Sequence, residues 1–198
     1  NPLVIEARRK FVHSGGGLIG IGEPSAYQAN GRYFQLADLF GVDREMGLSQ
    51  SVNRYNCEPV ASHFILDDFA QDHTFDLGEP INNVVALADN TEVLIYQDHE
   101  VKMAANKIGK GRSFYITGLP YSRENTRLLK RAIHYVANKE KELTRYFAED
   151  LAIEVAAFPE KNTYCVYNNS LSTIKTRVYD GMGRAFELEL EPAELKWF

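Results

Sequence analysis

Apolar positions along this chain change period several times, and each change marks a predicted element. Over residues 2–13, Leu3, Val4, Ala7, Phe11 and Val12 recur at helical spacing, which gathers side chains on one face. Pro2 suits a first helical turn and Gly15, Gly16 and Gly17 suit the stop. Leu18-Ile19-Gly20-Ile21-Gly22 then reads as a short buried strand. A helix that runs straight into such a strand is the second half of a βαβ unit. The strand that should precede the helix is not in this sequence, so the pattern predicts a fragment of a larger polypeptide.

A second helix is predicted over 31–40, with Phe34, Ala37, Leu39 and Phe40 as its apolar face and Gly41-Val42 as a left-handed cap. Residues 43–80 mix polar and aromatic types and predict long loops with short strands. Val84 to Leu87 and Val93 to Tyr96 are short apolar strands separated by the turn Ala88-Asp89-Asn90-Thr91. The stretches 101–108 and 112–117 flank Gly109-Lys110-Gly111, a glycine-bearing hairpin turn. The strongest helix follows, with Ser122 as N-cap and Leu128, Leu129, Ala132, Ile133, Val136 and Ala137 on one face. Strands of both kinds with covering helices predict a layered α/β domain.

Beyond the charged stretch 139–142 the texture changes to alternation. Leu151, Ile153, Val155 and Ala157, then residues 164–167, then Ile174, Thr176 and Val178, then Phe186, Leu188 and Leu190 read as short antiparallel strands. Turns are predicted at 159–162, at Asn168-Asn169-Ser170 and at 180–183. The pattern therefore divides into an α/β domain over 1–147 and a small antiparallel β-sandwich over 148–198, a module small enough to need a neighbour.

Composition narrows the function classes. The 198 residues carry a formal charge of −5 with a pI near 5.6, which argues against a nucleic-acid partner, since that wants a basic face. No apolar run approaches the roughly 20 residues that cross a bilayer, and nothing reads as a signal peptide. Cys57 and Cys165 make no metal spacing and suit buried free thiols of a cytoplasmic protein.

The stretch "GGGLIGIGEPSA", residues 15–26, is the first place to seek chemistry. A phosphate cradle is disfavoured because the glycines precede the strand, so no helix N-terminus meets the ligand there. A nucleophile elbow is excluded by composition. Class I glutamine amidotransferases have a similar helix, glycines and strand leading to Gly-x-Cys-x-Gly, and here the pentapeptide is Gly20-Ile21-Gly22-Glu23-Pro24. Gly22 stands where the cysteine would, and glycine supplies no thiolate. His99-Glu100 has the wrong spacing and context for the partner dyad.

Two readings of the polar tail stay open. Glu23, Ser25, Tyr27, Gln28, Asn30 and Arg32 suit a polyol-binding loop at the carboxyl end of a strand, the usual ligand position in open α/β sheets. Alternatively, Glu23 pairs with an arginine at a domain interface. These weak substrate-binding candidates, Glu23, Ser25, Tyr27 and Arg32, are joined by no catalytic, cofactor or metal candidate.

Other clusters have plain readings. His63, Asp67, Asp68, Asp72 and His73 lack the tight spacing of metal ligands and suit a solvated acidic loop. Asp67, Asp68, Asp72 and Asp76 offer carboxylates for glycoside chemistry, but without a barrel around them. Arg123, Arg127, Lys130 and Arg131 read as the solvated side of a helix. Trp197 suits packing on the β-module or a sugar platform.

"FVHSGGGLIGIGEPSA", "GRYFQLADLFGVDREMG" and the stretch from "NNVVALADNTEVLIYQ" through "GKGRSFYITGLPYSRENTRLLKRAIHYV" resemble the middle domain of the lacto-N-biose/galacto-N-biose phosphorylases. These are the 1,3-β-galactosyl-N-acetylhexosamine phosphorylases of glycoside hydrolase family 112. Residues 151–198, with "YNNS" and "RVYDGMG", resemble the small β-domain that ends those enzymes. More loosely, the chain is similar to the amidotransferase-like trimerisation domain of family 42 β-galactosidases.

The resemblance implies an amidotransferase-like, flavodoxin-like α/β domain followed by the β-sandwich. It also implies a cytoplasmic parent enzyme that phosphorolyses a β-galactosyl disaccharide to galactose 1-phosphate, with inorganic phosphate as co-substrate and no cofactor. The catalytic acid of that family lies in an N-terminal partial TIM barrel, so no catalytic residue carries over and residues 1–198 alone are expected to be inactive. The implied partners are that barrel, the galactosyl disaccharide and phosphate, and a second copy in a homodimer or other homo-oligomer. Two alternatives stand beside it: an oligomerisation domain of a family 42-like β-galactosidase, and a stand-alone carbohydrate-binding module.

Overall fold

The first helix, α1 (Pro2–His13), stops where the glycines predict: the amides of Gly15 and Gly16 donate to Val12 and Phe11 carbonyls. Strand β1 (Gly17–Ile21) follows and lies parallel to β6 (Gly111–Ile116), with Gly17 opposite Arg112 and Ile21 opposite Ile116. Gly17 is required by a close approach. A Cβ there would sit 2.6 Å from the Val136 carbonyl oxygen, because the helix α3 (Arg123–Val136) crosses the strand at that point.

A computed structural model describes residues 2–24, 34–45, 57–87 and 90–198. They fall into two units, Asn1–Asn138 and Lys139–Phe198. In the first, β4 (Glu92–Gln97), β5 (Glu100–Ile108) and β6 form an antiparallel meander, and the sheet order is β1-β6-β5-β4. Alternate residues of β6 serve two cores. Tyr115 packs with Val12, Phe34, Phe40 and Val101, whereas Phe114 and Ile116 pack with Leu128, Ala132, Tyr135 and Met103. Burial on both faces explains the nearly continuous apolar run of the central strands. The unit is therefore mixed α/β, with one parallel strand pair among the described residues.

Two expectations need correction. Only α2 (Ala37–Phe40) of the predicted helix over 31–40 is helical among the described residues, and residues 31–33 lie outside them. The reason is Asp43, whose buried carboxylate accepts the Phe34 amide at 2.8 Å and the Arg44 amide at 2.8 Å, fixing Phe34 outside the helix. The short helix ends on Gly41 in the left-handed region, as its cap predicts. Its last-turn carbonyl at Leu39 receives buried bonds from Asn106 and Ser113.

The two short strands predicted after residue 83 are present and have different partners. Strand β3 (Val84–Ala86) pairs with β2 (Val42–Arg44), and β4 turns back on β5 through Asp98-His99. Both turn residues take positive φ, 54° and 61°, the geometry that matches strand twist in a two-residue hairpin. Residues 88 and 89 of the turn predicted there lie outside the described residues.

The buried face of α3 is rotated from the predicted one. Ser122 caps it, accepting the Asn125 amide at 3.0 Å, and Leu128, Ala132, Tyr135 and Val136 are buried. Ile133, by contrast, is half exposed, while Arg127 and Arg131 are buried. An acidic partner on the loop draws both arginines inward, as described below.

The second unit begins with the one-turn helix α4 (Glu140–Leu143) and holds two three-stranded antiparallel sheets. One has β10 (Ile174–Tyr179) between β7 (Phe147–Ala148) and β11 (Ala185–Leu190). The other has β9 (Thr163–Asn168) between β8 (Ile153–Phe158) and β12 (Leu195–Trp197). Ile153, Val155 and Val166 of one sheet share a core with Ala148, Val178 and Leu190 of the other. Asn168 pins the predicted turn: its buried amide donates to Ser172, Leu190 and Glu191 carbonyls.

Candidate functional site

The parallel pair β1 and β6 ends on one edge, where α/β sheets place ligands. After β1 the chain bends at Gly22, whose φ is +60° and whose amide donates to the Ile116 carbonyl at 2.9 Å. The Gly22 carbonyl in turn accepts the Tyr115 hydroxyl at 2.9 Å. This places Glu23 at the edge, where its carboxylate meets Arg44 Nη1 at 2.5 Å. The arginine belongs to the same unit, on β2, so the pair is not a contact between the two units. Ser25, Tyr27, Gln28, Asn30 and Arg32 lie outside the described residues.

Polar contacts continue along this edge. Arg44 Nε donates to the Asn82 carbonyl at 3.0 Å, and the next amide, Asn83, donates to Glu100 Oε1 at 2.8 Å. Glu100 Oε2 holds Lys102 Nζ at 2.9 Å, and the lysine side chain is only 7% exposed. Beside it the Thr117 amide donates to the Lys102 carbonyl, while the buried Thr117 hydroxyl has no hydrogen-bond partner among the described residues. Sequence reading singled out none of Arg44, Lys102 or Thr117. The signal available was a charged residue inside an otherwise apolar strand, Lys102 in "VKMAA".

The acidic loop after residue 57 is not solvated throughout. Asp68 is buried and faces Arg131 Nη1 at 2.6 Å and Arg127 Nη1 at 3.5 Å, both guanidinium groups being almost wholly buried. Asp67 is exposed and reaches Arg131 at 3.4 Å. The arginines predicted as a solvated face are thus half of an ion cluster. His63 caps the 3₁₀ turn Phe64–Leu66 with Nδ1, which accepts the Ile65 amide at 3.2 Å. Burial holds its imidazole below its ordinary pKa, against the opposing pull of Glu92. His73 packs against Phe69 and Phe75.

These groups brace the fold. Position 22 carries no side chain, and burial pushes the Cys57 thiol up, away from the thiolate that would make a nucleophile. Cys165 is buried and free. Trp197 lies half exposed on β12, with its ring centroid 5.8 Å from that of Phe158. Among the described residues no helix is long and apolar enough to cross a membrane.

Comparison with known proteins gives this scaffold its family. The family model described as the lacto-N-biose phosphorylase central domain matches residues 1–141, and the one described as the C-terminal domain matches residues 146–198. The chain belongs to the lacto-N-biose phosphorylase family.

Within it, the chain is 43% identical over 195 residues to a 1,3-β-galactosyl-N-acetylhexosamine phosphorylase of Lachnoclostridium phytofermentans, covering 98% of this chain and 27% of that enzyme. It is 34% identical over 227 residues to the corresponding enzyme of Bifidobacterium longum subsp. longum, covering 100% of this chain and 30% of that enzyme. The chain thus spans less than a third of the length of these phosphorylases. In fold it is similar to Gan42B, a GH42 β-galactosidase, with a TM-score of 0.53 and 15% identity, covering 100% of this chain and 30% of that one.

Proposed function

We propose that this chain is the non-catalytic C-terminal portion of a phosphorylase that reversibly converts β-1,3-galactosyl-N-acetylhexosamines and phosphate into galactose 1-phosphate and the free N-acetylhexosamine. The observation that carries the reading is the consecutive match to the central and C-terminal domains of the lacto-N-biose phosphorylases. In the reaction, a carboxylic acid outside these residues protonates the leaving oxygen. Phosphate attacks the anomeric carbon from the opposite face, so the glycosidic bond breaks as the new carbon–oxygen bond forms with inversion.

The role assigned to residues 1–198 is mechanical. They brace an N-terminal partial TIM barrel of the same polypeptide in a cytoplasmic homodimer or other homo-oligomer. The exposed apolar side chains of α1 support this, with Leu3 79% and Phe11 57% exposed, since patches of this kind mark contact surfaces. The Glu23–Arg44 edge is an accessory wall at the mouth of the barrel site, and Ser25, Tyr27 and Arg32, next in sequence, are its further candidates for contact with the sugar. The first unit is an amidotransferase-like scaffold without the chemistry, a reading supported by Gly22 at the elbow position.

The test is a phosphorolysis assay on a longer polypeptide that carries an upstream barrel. Galactose 1-phosphate from a β-1,3-galactosyl-N-acetylhexosamine is expected, and none is expected from the 198-residue chain alone. Failure of the longer enzyme on every such disaccharide overturns the proposal.

A further inference from the structure

The second unit contains an open cleft of about 620 Å³, a size typical of small-molecule sites. Four rings run along it. Tyr146 and Tyr164 have centroids 5.4 Å apart, Tyr164 stacks on Phe198 at 5.1 Å with an 11° interplanar angle, and Phe198 meets Phe186 at 5.3 Å. The Tyr146 ring rests on the backbone of Gly181, where any Cβ would lie 2.1 Å from its hydroxyl oxygen. The ring is thereby positioned by packing, and the glycine is needed for it to sit there.

One wall is polar and fixed. Asp180 Oδ1 accepts the Met182 and Arg184 amides, each at 2.9 Å, and Oδ2 meets Arg184 Nε at 3.2 Å. Those amides also keep the carboxyl below its ordinary pKa. The carboxylate and guanidinium cancel in charge, so the wall offers acceptors and donors without selecting an ion. Neither the Tyr146 nor the Tyr164 hydroxyl has a hydrogen-bond partner among the described residues, and burial beside Asp180 pushes the Tyr164 phenol up, keeping it a neutral donor.

We propose that this cleft binds the ring of a neutral hexopyranoside. A pyranose has an apolar face of C–H groups and an equatorial rim of hydroxyls. The aromatic run suits the first, and the phenols with the Asp180–Arg184 pair suit the second. A charged ligand gains nothing from a wall whose charges already cancel. A purely apolar ligand would leave the phenols and the ion pair without new partners.

The test is a titration of the 198-residue chain, followed by amide chemical shifts. The probes are methyl β-galactoside, β-1,3-galactosyl-N-acetylglucosamine and, as apolar control, N-acetyltryptophan amide. Saturable shifts with a saccharide are expected, confined to residues around Tyr146, Asp180 to Arg184 and Phe198, with a dissociation constant in the millimolar range. Arg184→Met, at a largely exposed side chain, and Tyr146→Phe should each weaken binding about threefold to tenfold without altering the shift pattern of the sheets. Absence of saturable shifts with both saccharides overturns the proposal. So do shifts unchanged in both variants, or tighter binding of the tryptophan amide. In the longer enzyme Arg184→Met should leave phosphorolysis intact, so loss of this site and loss of the phosphorylase reading are separable.

Discussion

Arg131 Nη1 donates to Asp68 Oδ1 at 2.6 Å, and the two side chains are 3% and 7% exposed. The pair ties the helix α3 to the loop that carries the 3₁₀ turn, and Arg131 also lies over the Phe64 ring with its Cζ 4.2 Å from the centroid. Removing one member strands the other in a low-dielectric site. Asp68→Ala is expected to cost about 3–5 kcal/mol, measured as a lowered urea midpoint with unchanged slope. An Asp67→Ala control, at a half-exposed partner, should cost under about 1 kcal/mol.

Gly17 admits the α3 backbone. Gly17→Ala should lower stability by about 1–3 kcal/mol through overpacking, because the added methyl meets the main chain of Val136 and no side chain can swing away. Thermal unfolding of the variant checks it.

The His63 imidazole is neutral where an unfolded imidazole would begin to charge. Its surroundings include Glu92 and Asp67, which favour the cation, and Lys107 and Arg112, which oppose it, while burial outweighs them all. The unfolded chain therefore binds more protons as pH falls below about 6.5. Stability should be full above that value and decline as pH drops toward the lower folded-state value. Urea midpoints across this range should slope, and His63→Asn, which keeps an acceptor for the Ile65 amide, should flatten the slope.

Ser122 closes the first turn of α3 through the Asn125 amide. Ser122→Ala is expected to cost about 1 kcal/mol and Ser122→Asp to restore most of it, as read from thermal midpoints.

Features governed by neighbours in sequence were legible beforehand. The stop after α1, the Gly109-Lys110 turn, the Ser122 cap and the alternating strands beyond residue 150 each depend on residues within a few positions. The missing features depend on distant partners. Arg127 and Arg131 look solvated until Asp68, some sixty positions earlier, is seen to bury them. Phe34 looks helical until Asp43 claims its amide. The hairpin at Asp98-His99 escaped because its left-handed residues are not glycines. At the candidate site Glu23 draws notice in the sequence by its place after a strand. Lys102 and Thr117 become visible only when β5 and β6 are set side by side.

The parallel pairing of β1 with β6 also has a kinetic consequence. It joins Gly17 to Arg112, about a hundred residues apart, whereas the β4–β5 and β5–β6 hairpins join near neighbours. Closing a long loop is entropically costly before its contacts reward it. The meander is therefore expected to assemble early and β1, with α1 attached, to dock late. The segment bearing Gly22 and Glu23 then becomes the last part of the sheet to acquire its protection from hydrogen exchange.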